Sequence, residues 1–214
     1  MNTMEHGNIQ LRLPVSGYDE FSVRITGYES PENNKNWYSQ WTKTDLILRC
    51  ASDKDNLEYS VSYHMREGKA LLSCEIDVLA EKLRDLLDDN ILKEETVSFT
   101  EPDFNIVLRP KTDLRRDPNY IFVAPGAAIE DVSVLLEINL SGNSSSNRLI
   151  VGLNRRETEI LLCYIRLISG RTAIDSDDVK EYTEKGYFSG SDDNVLTVNV
   201  EESPKLLTTE PDTI

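Results

Sequence analysis

The sequence predicts an α+β fold, a mainly antiparallel β-sheet with two amphipathic helices packed on it. Three observations predict it. Short segments alternate apolar and polar residues, the pattern of strands with one face on a core and the other in water. Two longer segments repeat leucine and isoleucine at helical spacing. The strands also come in runs punctuated by isolated helices, which argues against βαβ winding and for helices gathered on one side of an antiparallel sheet.

Ile9–Leu13 reads as the first strand. In the second, Phe21, Val23 and Ile25 share one face while Ser22, Arg24 and Thr26 point away. Leu46–Cys50 supplies a third, and in the fourth Tyr59, Val61, Tyr63 and Met65 alternate with Ser60, Ser62, His64 and Arg66. The first helix follows, with Ile76, Leu79, Leu83, Leu86 and Leu87 forming an apolar stripe opposite Asp77, Glu81, Lys82 and Arg84. Ser73 is its expected N-cap, Glu75 and Asp77 suit the positive end of its dipole, and the pattern runs to about Asn90.

Beyond it, Thr96–Thr100, Phe104–Arg109, Tyr120–Val123, Val132–Leu140 and Leu149–Leu153 are short, apolar and bounded by turn-forming residues, as strands are. The Ser, Asn and Gly run at 141–147 reads as a hairpin loop, so the strands flanking it pair antiparallel. The second helix opens at Asn154, with Glu157 three residues on as in a capping box. It carries Leu161, Tyr164, Ile165 and Ile168 on one face and closes at Gly170. These elements predict one domain over residues 1–170. Residues 171–214 are expected to be an acidic, partly disordered extension, with a short helix at Val179–Tyr182 behind Ser176 and a strand at Val195–Val200.

Among the 214 residues, 38 are acidic and 23 basic, a net charge of −15. That is the reverse of a nucleic-acid-binding footprint, so direct DNA or RNA binding is not expected. Residues 171–214 carry −7 of it, with four basic and eleven acidic side chains. Three cysteines, Cys50, Cys74 and Cys163, are too few and too scattered for a disulfide framework. No apolar run approaches the roughly 18 residues of a membrane span, and the start lacks the basic and apolar regions of a signal peptide. A soluble cytoplasmic protein is expected.

The motifs of common reaction chemistry are missing. The two histidines, His6 and His64, stand far apart, and no Cys-x-x-Cys pair, His-Glu-x-x-His helix or calcium loop is present, so no metal site or cofactor is expected. No Gly-x-Ser-x-Gly elbow, Walker loop or Gly-x-Gly-x-x-Gly turn occurs either. A pair of carboxylates is all that acid-pair hydrolysis needs, and 38 acids offer candidates without discriminating among them.

The most unusual segment is Gly27–Trp41, where a polar turn-forming stretch brings both tryptophans, Trp37 and Trp41, within five residues. They either pin the loop to the core or anchor a binding surface. Ile25-Thr-Gly-Tyr28, Pro31 and Asn36-Trp-Tyr-Ser-Gln-Trp41 resemble the opening block of the WapI-type bacterial immunity proteins. Leu71-Leu-Ser-Cys-Glu75 before the first helix and Val97-Ser-Phe-Thr-Glu-Pro-Asp-Phe104 agree in order with two later blocks of that family, over roughly residues 9–140.

The resemblance implies a protein that binds a cognate bacterial toxin domain and neutralises it by stoichiometric inhibition, without catalysis. Such toxins are often nucleases, whose basic groove an acidic protein can cover. Gly27, Trp41, Glu101 and Pro102 are expected to define the fold. The candidate toxin contacts are Glu29, Glu32, Trp37 and Tyr38 in the early loop, and Asp88, Asp89, Glu94 and Glu95 after the first helix. Two alternatives stay open: a carbohydrate- or small-ligand-binding module using the tryptophans as platforms, and an acid-pair hydrolase.

Overall fold

In chain order the strands of the first half are β1 (Ile9–Leu13), β2 (Glu20–Tyr28), β3 (Trp41–Ser52) and β4 (Tyr59–Leu72), followed by helix α1 (Ser73–Leu87). The second half holds β5 (Glu95–Ser98), β6 (Phe104–Arg109), β7 (Thr112–Asp113), β8 (Ile129–Glu130), β9 (Ser133–Asn139), β10 (Arg148–Leu153), α2 (Arg155–Ile168), α3 (Asp177–Glu184) and β11 (Phe188–Gly190). The structure, a computed structural model, describes residues 8–17, 20–28, 40–52, 59–100, 104–139 and 148–190. Its architecture is α+β: a five-stranded sheet in the order β11-β1-β2-β3-β4, a four-stranded sheet β10-β9-β6-β5, and the two-stranded ribbon β7-β8, all antiparallel.

Period-two patterning decides which face of each sheet is inward. Ile9, Leu11, Leu13, Phe21, Ile25, Leu46 and Leu48 are buried from the large sheet, and Phe104, Ile106, Leu108, Val134, Ile138, Val151 and Leu153 from the smaller one. Each long helix touches both sheets, so all these residues share one core. On α1, Ile76, Leu79, Leu83 and Leu86 are buried as its stripe requires. On α2, Ile160, Cys163, Tyr164, Ile165, Leu167 and Ile168 are buried, a wider apolar surface because it also packs against α1 and α3.

The helix ends follow cap chemistry. Asn154 caps α2: its Oδ1 accepts from Glu157 N–H at 3.0 Å, and the Glu157 carboxylate accepts from Asn154 N–H at 2.8 Å, the predicted box. Gly170, at φ +70°, lets Arg171 N–H reach Arg166 C=O at 2.8 Å and closes the helix as expected. At α1 the N-cap is Leu72, not Ser73. Strand β4 runs straight into the helix, and the capping acceptor is Glu75, which takes Leu72 N–H at 2.7 Å and both Thr100 N–H and Oγ1–H, tying the helix to the end of β5. The Ser73 hydroxyl instead accepts from Gln40 N–H. The helix also stops at Leu87, short of Asn90, because Asp89 adopts φ +58° and Asn90 N–H folds back to Asp85 C=O at 2.8 Å.

Two further expectations change. Tyr120–Val123 is not a strand: Pro118 and Pro125 flank it, β6 pairs directly with β9, and the segment stands in water as part of an irregular loop. The boundary expected at Gly170 falls inside the folded body. β11 pairs with β1, α3 packs on α2, and Val179, Tyr182 and Phe188 are buried in the common core. The Arg156 guanidinium over the Tyr182 ring, 4.8 Å from its centroid, and the Arg171–Asp77 ion pair at 2.6 Å hold α2 to α3 and to α1. The short helix behind Ser176 is present as α3, while Val195–Val200 and Ser203–Ile214 lie outside the described residues, as do Glu101 and Pro102.

Tyr164 is fully buried, and its hydroxyl donates to Ile9 C=O at 3.2 Å and accepts from Ile25 N–H at 2.9 Å. The helix thereby satisfies backbone groups of β1 and β2 next to the irregular pairing between Ile25 and Gly27. Tyr164→Phe removes the partner of both groups and is expected to cost about 1–3 kcal/mol, read as a lower urea midpoint at unchanged slope. Truncation after Gly170 strips Val179, Tyr182 and Phe188 from the core and β11 from β1. The shortened chain is expected to lose its cooperative thermal transition, followed by circular dichroism.

Candidate functional site

Arg155, the first residue of α2, is oriented by the Asn154 cap and reaches to the far end of α1. Its guanidinium donates to Leu87 C=O at 3.1 Å and to both Asp131 oxygens at 3.0 and 3.1 Å, and lies 3.6 Å from Asp89. One side chain therefore gathers the end of α1, the loop that follows it and the segment after β8 into one end of the molecule. The Val132 N–H first, then the Arg155 guanidinium, holds the Asp131 carboxyl below the usual carboxylate range.

The four acids predicted after α1 are all on this end, but three of them are already paired. Asp89 sits on Arg155, Glu94 accepts from Arg109 at 3.0 Å, and Glu95 is bonded to Lys82. Exposed pairs of this kind stabilise by only a few tenths of a kcal/mol up to about 1 kcal/mol, yet they fix where the carboxylates stand. Asp88 is exposed and has no cationic partner among the described residues. Glu29, Glu32, Trp37 and Tyr38 lie outside the described residues. The strand ends that flank their loop are at the opposite end of α1: Ser73 N–H donates to Gln40 C=O at 2.8 Å, and the Tyr28 phenol, raised by burial and then by Asp77, faces the first turn. A 15-residue helix is about 22 Å long, so the described residues that flank that loop stand well away from the acids after α1.

The same end carries a feature that strand patterning hid. Strands β7 and β8 close a hairpin whose loop presents Tyr120, Ile121 and Phe122 at 49, 103 and 78% exposure, with Ile129 at its root. Leu92, 85% exposed, stands on the neighbouring loop among the acids. The signal was in the sequence: residues 118–129 contain no charged side chain, the longest such run in a chain that is 29% charged. Turn chemistry fixes the loop at both ends. Asp117 Oδ1 accepts from the main-chain and side-chain amides of Asn119, both at 2.9 Å. Ala127 N–H closes on Ala124 C=O at 3.0 Å with Pro125 and Gly126 at the corner, Gly126 at φ +89°, as a type II turn requires.

The outer face of the five-stranded sheet has the opposite character. Arg12, Arg24, Lys43, Arg49, Arg66 and Lys69 outnumber Glu20, Asp45 and Glu67 among its described residues, and Ser22, Arg24, Asp45, Ile47 and His64 line a hollow of about 590 Å³. The acid excess of the chain is not on this face. Partial burial works against charge on Asp45, but the Glu67 N–H at 2.8 Å and the Arg24 guanidinium at 2.6 Å outweigh it and keep the carboxyl below the ordinary range. It holds no proton to donate near neutral pH. Between the sheets an apolar cavity of about 80 Å³ falls well short of the roughly 300–1,000 Å³ of small-ligand pockets. Among the described residues no group of three or more metal-ligating side chains occurs. The Cys163 thiol, buried and near Asp178, is pushed up to about 12, far from a nucleophilic thiolate.

The hairpin root is fixed by Asp113, whose carboxylate accepts from Arg115 Nε and Nη2, each at 2.8 Å, and from Arg115 N–H. The Arg115 side chain, then its N–H, lowers the carboxyl to about 2. A folded value below the unfolded 3.8 means that the contact stabilises above that value and fades as pH falls through about 2. Carboxyl chemical shifts of Asp113 are expected to titrate with a midpoint near 2, and Arg115→Ala to move that midpoint back towards 3.8.

No curated protein and no solved structure matches the chain at a significant level. The model of the immunity protein WapI-like family matches residues 12–137, more than half of the chain, spanning β2 to β8 and most of β9. The chain belongs to the WapI-like immunity protein family.

Proposed function

We propose that the protein neutralises a cognate bacterial toxin domain by stoichiometric binding, in the cytoplasm of the cell that makes the toxin, and that the end of the molecule organised by Arg155 is the contact surface. Family membership carries the immunity reading. The choice of surface is supported by Asp88, Asp89, Glu94 and Glu95 standing together on the end that Arg155 assembles, while the basic outer face of the large sheet would repel a basic partner. Glu29, Glu32, Trp37 and Tyr38, outside the described residues, remain a second candidate group.

Binding needs no chemistry from the immunity protein. Covering a catalytic groove, or holding the toxin in an idle form, is enough. Because most acids on this end are internally paired, their charge serves encounter more than grip: long-range attraction raises the association rate, while close packing sets dissociation. Residues 191–214 hold one lysine against six acids, so about a third of the net charge comes after β11 in the sequence and adds to long-range attraction.

Co-expression with the toxin domain encoded immediately upstream tests the reading. Survival of the cells and a one-to-one complex on co-purification are expected; continued killing with no complex would sink it. For a basic toxin the association rate is expected to fall by tenfold or more between low and physiological salt, measured by stopped flow, with little change in dissociation.

A further inference from the structure

We propose that the hairpin tip Tyr120-Ile121-Phe122 is the apolar anchor of the toxin complex, inserting into a preformed apolar pocket on the toxin domain. This rests on the immunity reading and names the residues that hold the partner once charge has delivered it. Four of the seven large hydrophobics that stand exposed among the described residues fall between 120 and 129. Ile121 is as accessible as in an isolated peptide. A folded chain leaves so concentrated an apolar patch in water where a partner covers it.

The tip is also built to bind cheaply. The Asp117–Asn119 turn, the type II turn at 124–127 and the Leu114 N–H to Ala128 C=O bond at 2.9 Å hold it out before any partner arrives, so little ordering entropy is lost on docking. Aromatic side chains on such a scaffold are the usual energetic centres of interfaces. The acids around it are in large part neutralised by Arg155, Arg109, Lys82 and Arg115, which leaves the apolar tip as the stronger short-range element of this end.

Charge selects the occupant. A second copy of the chain also carries −15 and is repelled, and an anionic lipid surface is repelled in the same way. A basic protein domain is attracted. The tip brings no charge of its own to such a pocket, and Asp88 and Glu130 on the same end have no cationic partner among the described residues and are available to cations at its rim.

The test uses the full chain and the toxin domain encoded upstream. Ile121→Ser and Phe122→Ser are each expected to weaken the complex at least tenfold, mainly through faster dissociation, while the thermal midpoint of the free protein stays put. Val78→Ser, an exposed apolar position on α1, serves as the control and is expected to bind as the native chain does. A photoreactive phenylalanine at position 121 is expected to cross-link to the toxin, a gain of signal independent of folding. Native binding by the complete chain together with native affinity in both serine variants and no cross-link would overturn the proposal and leave immunity intact. Failure of the complete chain to bind would overturn the immunity reading itself. Dimerisation of the free protein, or its sedimentation with anionic phosphatidylserine vesicles, either one abolished by Phe122→Ser, would assign the tip to another occupant and likewise overturn the proposal.

Discussion

The double hydrogen bond of the Tyr164 hydroxyl, to Ile9 C=O and from Ile25 N–H, fixes where α2 lies on the large sheet, and most of the remaining structure follows from that placement. In the core an unmet backbone group costs about 1–3 kcal/mol, so the helix cannot slide or turn without leaving two of them stranded. With α2 set, its apolar surface meets α1, α3 and both sheets at once. Burial drives the phenol pKa well above its ordinary value, so the hydroxyl keeps its donor proton throughout the range in which the protein works.

The proposed contact end inherits its position from the same helix. Arg155 stands about two and a half turns before Tyr164, and from there it holds Leu87, Asp89 and Asp131. Rigid placement of loops by a packed scaffold is the usual basis of specific recognition. Here the scaffold presents two elements side by side, a loop of mostly paired acids and a charge-free hairpin tip, with a basic sheet face elsewhere on the molecule. A net charge of −15 read from the sequence therefore divides into local surfaces of differing sign.

Much of the fold was legible from periodicity, because alternation and helical spacing report burial directly: β1, β2, α1, β6, β9, β10 and α2 all appear where their patterns place them. The departures have physical causes. Tyr120–Val123 has the composition of a strand, yet two prolines and the direct pairing of β6 with β9 leave it no ladder. Residues 171–190 look acidic because α3 shows water one face, while Val179 and Tyr182 on its other face and Phe188 of β11 are buried. Asp88, Asp89, Glu94 and Glu95 were legible as a group, but the cations that pair the last three, Arg155, Arg109 and Lys82, are set by tertiary packing and invisible to local spacing.

Hydrogen–deuterium exchange on the toxin complex tests the central claim most directly, because it maps the covered surface without changing a residue. Slowed exchange on binding is predicted at residues 88–94 and 114–130, with β2, β3 and β4 of the large sheet unaffected. Protection confined to residues 20–26, 43–49 and 64–69 would place the toxin on the basic sheet face and contradict the account.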